Sequence, residues 1–335
     1  MSRFHNKRVL VLGGAGFLGS HLVRALIKEK ASVVVVDNGI TGRWENLENI
    51  GSVERPLECL RADISDFAWT KAGALDNLSI DFIVNLASPA SPPFYNKFWL
   101  ETMTVNSIGT LFALDLAAQK KAVFFQASTS EIYSEPHIVP TPESDPGQVD
   151  PTSPRSVYDE SKRFAETLVY AFHRNCGVDV RVARIFNTYG PRMRLDDGRV
   201  VTEFVKAALL NKPLPIFGDG KQTRSFCYVD DLIEGFLLLL LSKETRPVNI
   251  GNPYTEMTIN KLAEELQAIL DPEHKQITTY KYSPLPQSDP TRRCPDIARA
   301  REVLGWEPKV SLSDGLALTI NWAREELKRV SLEKR

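Results

Sequence analysis

Histidine and cysteine are scarce in this chain, five and four among 335 residues. Cys59, Cys176, Cys227 and Cys294 are scattered, form no CxxC pair and have no histidine companions at ligand spacing. That excludes a disulfide framework and a zinc site, so no metal is expected. The thiols read as free, in a reducing compartment. Long apolar runs are missing too. Phe236 to Leu241 is the most apolar stretch, far short of the ~20 residues a bilayer span needs, and reads as a buried helix. Only a few polar residues precede the strand-like Arg8-Val9-Leu10-Val11-Leu12, leaving no room for a cleavable apolar signal. A cytoplasmic protein without a membrane partner is expected. Neither sign of charge dominates: 41 Lys and Arg stand against 42 Asp and Glu, for a net charge of -1. This argues against a nucleic-acid partner and against a disordered tail. Internal repeats and low-complexity segments are absent.

What is present is the composition of an ordinary globular enzyme, 43% hydrophobic and 25% charged. The length exceeds the roughly 100–200 residues of a single domain. Short β-branched runs at Val9–Leu12, Ser32–Asp37, Leu57–Ala62, Phe82–Ala87, Val123–Ala127 and Val180–Phe186 alternate with helix-like segments at about 17–29, 99–119 and 155–175. Such alternation predicts an α/β fold, a doubly wound parallel sheet of Rossmann type. After Phe186 the chain enters a loop rich in Gly, Pro and Arg, Gly190 to Arg199, followed by shorter mixed elements. A smaller C-terminal α/β substrate domain is expected there. Pro247 to Gly251 reads as a strand returning to the first domain. The predicted division is therefore 1–189 plus about 225–251 for the cofactor domain, and about 190–224 plus 252–330 for the substrate domain.

Gly13-Gly14-Ala15-Gly16-Phe17-Leu18-Gly19 follows the first strand and opens an amphipathic helix. In that context Gly13 permits a tight turn, Gly16 lets a pyrophosphate approach the backbone, and Gly19 lets helix and strand pack closely. The helix N-terminus supplies N–H donors to the phosphates. Asp37 ends the second strand, at the distance where a carboxylate accepts both ribose hydroxyls of NAD and repels a 2′-phosphate. NAD is favoured over NADP, although Arg43 is close enough in sequence to receive such a phosphate. Asp63 and Ile64, after the third strand, fall where an adenine ring would lie.

Tyr158-Asp159-Glu160-Ser161-Lys162 sets a phenol and an ammonium one helical turn apart. Taking a hydride from an alcohol carbon requires a base for the hydroxyl proton, and a tyrosine of pKa about 10 is too protonated to serve. A neighbouring lysine charge lowers it. Ala127-Ser128-Thr129-Ser130-Glu131 follows the fifth strand, at the carboxyl edge where open α/β sheets bind ligands. There Thr129 suits a hydrogen bond to the reacting hydroxyl, and Glu131 suits an acid or base. Ser128 and Ser130 fit turn chemistry as well as catalysis.

These glycines, the Tyr158/Lys162 pair, Arg184-Ile185-Phe186-Asn187-Thr188-Tyr189-Gly190-Pro191-Arg192 and Tyr228-Val229-Asp230-Asp231-Leu232 resemble the extended short-chain dehydrogenase/reductase family of nucleotide-sugar enzymes, over nearly the whole chain. Within it, Leu86 to Pro93, Ala127 to Glu131, Asp197 to Val201 and Pro295-Asp296-Ile297 are most similar to the UDP-glucuronate decarboxylases. The resemblance implies decarboxylation of UDP-glucuronate to UDP-xylose through a 4-keto sugar, with NAD regenerated in the cycle. It implies Tyr158 as base, Thr129 assisting, Lys162 tuning, Glu131 managing a hydroxyl proton and Arg293 orienting the carboxylate or helping to protonate the intermediate. Phe17, Leu18, Asn38, Asp63, Ile64, Ala87 and Thr102 would join the glycines and Asp37 around NAD. Asn187, Arg192, Arg199, Arg224 and Arg293 would hold the substrate, the planar guanidinium forks suiting its diphosphate. A homodimer built on the long helices is implied as well.

Three positions depart from that pattern. Glu101 stands where a lysine is usual, Ser134 replaces a glycine and Cys294 replaces a lysine. A carboxylate at 101 would repel a glucuronate carboxylate if it faced the substrate. The alternatives are a nucleotide-sugar 4,6-dehydratase using Ser130 and Glu131, a 4-epimerase that gives Glu131 no task, and a non-catalytic dinucleotide sensor, which would not need Tyr158 and Lys162.

Overall fold

Valine-rich runs suit strands buried on both faces, because β-branched side chains pack well on a pleat. In the computed structural model, which describes residues 2–51, 57–71, 75, 78–271, 273 and 279–333, Arg8–Leu12 (β1) and Ser32–Asp37 (β2) are of this kind, buried at every position after the first. Glu58–Arg61 (β3), Phe82–Asn85 (β4), Val123–Thr129 (β5), Val180–Ile185 (β6) and Pro247–Ile250 join them in a seven-stranded sheet. Its order is Pro247–Ile250, β6, β5, β4, β1, β2, β3, and every pairing is parallel. This is the doubly wound parallel sheet the alternation predicts. The order reverses between β1 and β4, and the carboxyl ends at such a switch point open a ligand crevice.

Side chains at the strand ends shape that crevice. β4 stops at Asn85, short of the expected Ala87, because the Asn85 Oδ1 turns the chain by accepting the Ala87 N–H at 3.3 Å. β5 instead runs past the expected Ala127 to Thr129, which pairs with Ile185. The extension delivers Thr129 to the rim and Glu131 into the short turn Ser130–Tyr133 beyond it.

The helix expected at 99–119 is broken. Trp99–Thr104 and Thr110–Lys120 are α-helical, and Val105–Gly109 between them is a π-helical turn. A wide turn of that kind redirects a side chain. Here Asn106 points into the protein, where its amide donates to Thr102 O at 2.9 Å, Ser88 Oγ at 3.0 Å and Ser161 Oγ at 3.1 Å. It pins this helix to the helix Ser156–Cys176, between Tyr158 and Lys162.

Beyond β6 the chain builds small sheets over the carboxyl edge. Thr223–Arg224 lies between Met257–Thr258 and Arg292–Arg293, and the parallel register sets Arg293 opposite Arg224. The apolar run within Val229–Leu241 forms a buried helix, as expected, with the Phe236 ring 5.0 Å from that of Phe125. None of the described helices is long and apolar enough to cross a membrane.

Candidate active site

The glycine turn is sterically specified. Gly13 has φ of +78°, and a Cβ there would lie 2.7 Å from the backbone N of Ala87, so neither its conformation nor its space admits a side chain. At Gly16 a Cβ would meet only Gly13 O, at 3.3 Å, and its outer side is free for a phosphate. Gly16 caps the helix Phe17–Lys28 without a side-chain acceptor, which leaves the first N–H groups for an anion.

Two adjoining cavities share the Gly13 and Gly16 wall. The smaller, about 70 Å³, is lined by Asp37, Asn38, Asp63, Ile64 and Ala87. Each Asp37 oxygen accepts one backbone N–H, Ala15 to Oδ2 at 3.0 Å and Gly39 to Oδ1 at 2.8 Å, and keeps a lone pair for a ribose hydroxyl. Asn38 Nδ2 donates to Asp63 Oδ2 at 2.8 Å, which fixes the floor of this end. Arg43 is paired with Glu326 at 2.6 Å and is committed away from a 2′-phosphate. The residues present therefore fit NAD. Thr102 does not join them. It is fully buried, lines neither cavity, and its hydroxyl donates to Phe98 O at 2.7 Å, just behind Glu101 and Val105 of the smaller cavity's wall.

The larger cavity, about 840 Å³, gathers Phe17, Leu18, Thr129, Glu131, Tyr158, Lys162, Asn187, Arg192, Arg199, Arg224 and Arg293. Sequence-distant residues thus meet in one space. Tyr158 is 5% exposed and stacks on Tyr95 with ring centroids 5.2 Å apart and planes at 7°. Burial raises its pKa above the ordinary phenol value; nearby Glu131 adds to this, while a hydrogen bond with Thr129 and the Arg199 charge oppose it. Lys162 is buried as well, donates to Ala127 O at 3.1 Å and sits 5.8 Å from the Tyr158 ring centroid. Burial brings its own pKa down to about 7, against the pull of Glu166. The expected lowering of Tyr158 does not prevail in the protein alone, because burial disfavours the charged form of both groups.

Glu131 is held by two arginines. Arg293 grips it with both nitrogens, Nη1 to Oε1 at 2.7 Å and Nη2 to Oε2 at 2.8 Å, and Arg155 Nη2 reaches Oε2 at 2.5 Å. Burial acting alone would raise the carboxyl, but the charges of Arg293 and Arg155 bring it down to about 2. Asn187 Oδ1 accepts from Arg293 at 3.4 Å. Arg224, 5% exposed, donates to Asp289 at 2.8 Å. Arg199 is bonded to Asp197, and its charge bears on Tyr158 and Glu131, which puts it at the chemical end of the cavity and not only along a diphosphate. The Arg192 Nε is buried without a partner among the described residues.

The three departures fall away from the chemistry. Glu101 is exposed and lines only the smaller cavity. Ser134 has φ of 53° and ψ of -119°, a glycine conformation that affects backbone strain only. Cys294 is buried outside both cavities, and burial, with help from Glu256, raises its thiol to about 12. Sequence reasoning missed Arg155, Asp289 and Tyr95. For Arg155 there was one signal, an arginine one turn ahead of Tyr158; Asp289 and Tyr95 carry none outside the fold.

A glycine turn at a switch point, a ribose-facing carboxylate and a buried Tyr/Lys pair beside a large polar cavity define a dinucleotide-dependent enzyme acting on a sizeable polar substrate. The chain belongs to the NAD dependent epimerase/dehydratase family, which matches residues 9–251. UDP-glucuronic acid decarboxylase 3 of Arabidopsis thaliana is 47% identical over 314 residues, 93% of this chain and 88% of that protein. UDP-glucuronic acid decarboxylase 1 of Xenopus tropicalis is 43% identical over 327 residues, 98% of this chain and 74% of that protein. A solved structure of UDP-glucuronic acid 4-epimerase from Bacillus cereus, with UDP-glucuronic acid and NAD, is 30% identical with a TM-score of 0.80, covering 95% of this chain and 99% of that one.

Proposed function

We propose that this protein is an NAD-dependent carboxy-lyase that converts UDP-glucuronate to UDP-xylose and carbon dioxide. The observation that carries the reading is the Arg293–Glu131 pair beside Tyr158 and Thr129, in a chain 43–47% identical to UDP-glucuronic acid decarboxylases. Tyr158 takes the C4 hydroxyl proton while Thr129 holds the phenol in line. NAD held by the Gly13–Gly16 turn and Asp37 would supply the acceptor and donor of the C4 hydride, and its positive charge would oppose the burial that raises Tyr158. The sugar then carries a ketone at C4, β to the carboxylate. The C5–C6 bond breaks, carbon dioxide leaves and the electron pair passes into the ketone as an enolate. A proton added at C5 restores the ketone, and the proton held by Tyr158 goes back to the C4 oxygen as the ketone is reduced again to a hydroxyl. Arg293 orients the carboxylate, Glu131 accepts a hydrogen bond or proton from a sugar hydroxyl, and Arg224 and Asn187 face the diphosphate side.

A homodimer is part of this proposal. Trp99, Leu100, Met103, Ile108 and Leu111 on the broken helix, and Phe164 on the Tyr158 helix, are large apolar side chains exposed at 39–54%. Apolar exposure on that scale marks a surface that another chain covers. A reducing, cytoplasmic setting is supported by the exposed free thiols of Cys59 and Cys176.

The test is to incubate the protein with UDP-glucuronate and catalytic NAD and follow the products by NMR. UDP-xylose and carbon dioxide without net NADH are expected. Turnover of dTDP-glucose to a dehydrated 4-keto sugar, with UDP-glucuronate untouched, would overturn the reading.

A further inference from the structure

Arg155 lies half-buried in the wall of the larger cavity, beside the chemistry. Its side chain reaches Glu131 Oε2 at 2.5 Å and Asp289 Oδ1 at 3.5 Å, and Asp289 also takes Arg224 at 2.8 Å. Its backbone carbonyl accepts the N–H groups of Tyr158 at 3.0 Å and Asp159 at 3.1 Å. One residue therefore ties the turn that carries Glu131 to the start of the helix that carries Tyr158.

Charge explains why two arginines are spent on one carboxylate. A largely buried ladder runs Arg293, Glu131, Arg155, Asp289, Arg224. It holds three cations and two anions, one positive charge in excess, which a substrate carboxylate would match. If Arg293 turns toward that carboxylate and Glu131 had no second cation, Glu131 would be left as a buried, uncompensated charge, at high cost.

Resting on the decarboxylase reading, we propose that Arg155 is a positioning residue. It keeps Glu131 ionised and in place beside Tyr158 while Arg293 engages the substrate carboxylate. The ordering of contacts supports this division of labour. Among the described residues the Arg293 side chain bonds only Glu131, with both nitrogens, and Asn187, whereas Arg155 has a second acidic partner in Asp289, at 3.5 Å. Arg293 is the arginine with a grip it can exchange; Arg155 keeps its place between two carboxylates. The other titratable groups whose charges reach Glu131 are Tyr95, Tyr158, Asp159, Arg199 and Arg224.

The experiment compares the NAD-loaded wild type with Arg155→Gln and Arg155→Lys on UDP-glucuronate. Wild-type product formation first settles the decarboxylase reading by itself, so failure there is distinct from failure of the Arg155 assignment. In Arg155→Gln, kcat should fall about 10-fold or more, as befits a misplaced acid–base group, with KM changed less than about threefold. The acid limb of kcat should move up by about one pH unit or more, the effect of removing one close opposite charge from a carboxylate. Arg155→Lys restores a cation and should return kcat to within about threefold and the pH profile to its wild-type position. A rise in KM at unchanged kcat would make Arg155 a substrate ligand and overturn the proposal. Loss of activity with an unmoved pH profile, in either variant, would reduce it to a structural arginine and overturn it equally. If Arg155→Gln does not fold, Arg155→Lys decides: a kcat lowered beyond about 10-fold at unchanged melting temperature refutes a role that depends on charge.

Discussion

At the scale of single residues the cavity asks a phenol to act as a base in a place that opposes it. Burial and Glu131 both push Tyr158 toward its neutral form, and positive charge arriving with the cofactor, with that of Lys162, would favour the phenolate that can accept the substrate proton. Tyr158→Phe keeps the ring that stacks on Tyr95 and removes only the hydroxyl. The expected outcome is a loss of kcat by about 10²–10⁴, with NAD affinity unchanged in a fluorescence titration. Turnover at the wild-type rate would remove Tyr158 from the base role. A second residue-scale prediction concerns Ser134, whose φ of 53° and ψ of -119° are strained for a side chain. Such conformations cost on the order of 1–3 kcal/mol, part of which glycine's greater unfolded-state entropy offsets. Ser134→Gly should therefore stabilise the protein by about 1 kcal/mol in denaturant unfolding, with activity unchanged.

Elements were legible from sequence where the cause is local. Alternating valine strands, the glycine turn and the Tyr158/Lys162 spacing each depend on neighbours within one turn or one strand, and the parallel sheet follows from them. Two features depend on distant partners and were not legible. The π-helical turn that breaks the helix expected at 99–119 orients Asn106 toward Ser161, 55 positions away. Arg155 contacts Asp289 across 134 positions. The surface of these same helices carries the next prediction. Phe164 is 49% exposed on the helix whose other side holds Tyr158 and Lys162, so a charge there would face the partner in the proposed dimer without entering the cavity. Phe164→Glu is expected to shift the protein from dimer to monomer in sedimentation velocity, since burying an unpaired carboxylate costs several kcal/mol. A wild type that sediments as a monomer would overturn the proposed dimer, and a variant that remains dimeric would place the interface elsewhere.

For the whole molecule the telling property is how the sheet and the segments above it divide two ligands. The switch between β1 and β4 holds the Gly13 turn and Asp37, while Arg224 and Arg293, side by side in a small separate sheet, close the opposite wall. A dinucleotide can therefore bind with the substrate side empty, and its binding free energy adds directly to stability. At a ligand concentration 100 times Kd the gain is about 2.7 kcal/mol, enough to raise the melting temperature by several degrees. NAD should give that rise and NADP should not. The Asp37 carboxylate would face the 2′-phosphate with like charge, and Arg43, the nearby cation in sequence, is engaged by Glu326. Asp37→Ser should narrow the gap by weakening NAD and relieving the repulsion toward NADP. Equal stabilisation of the wild type by both dinucleotides would show that Arg43 leaves Glu326 for the phosphate, and would withdraw Asp37 as the residue that sets cofactor choice.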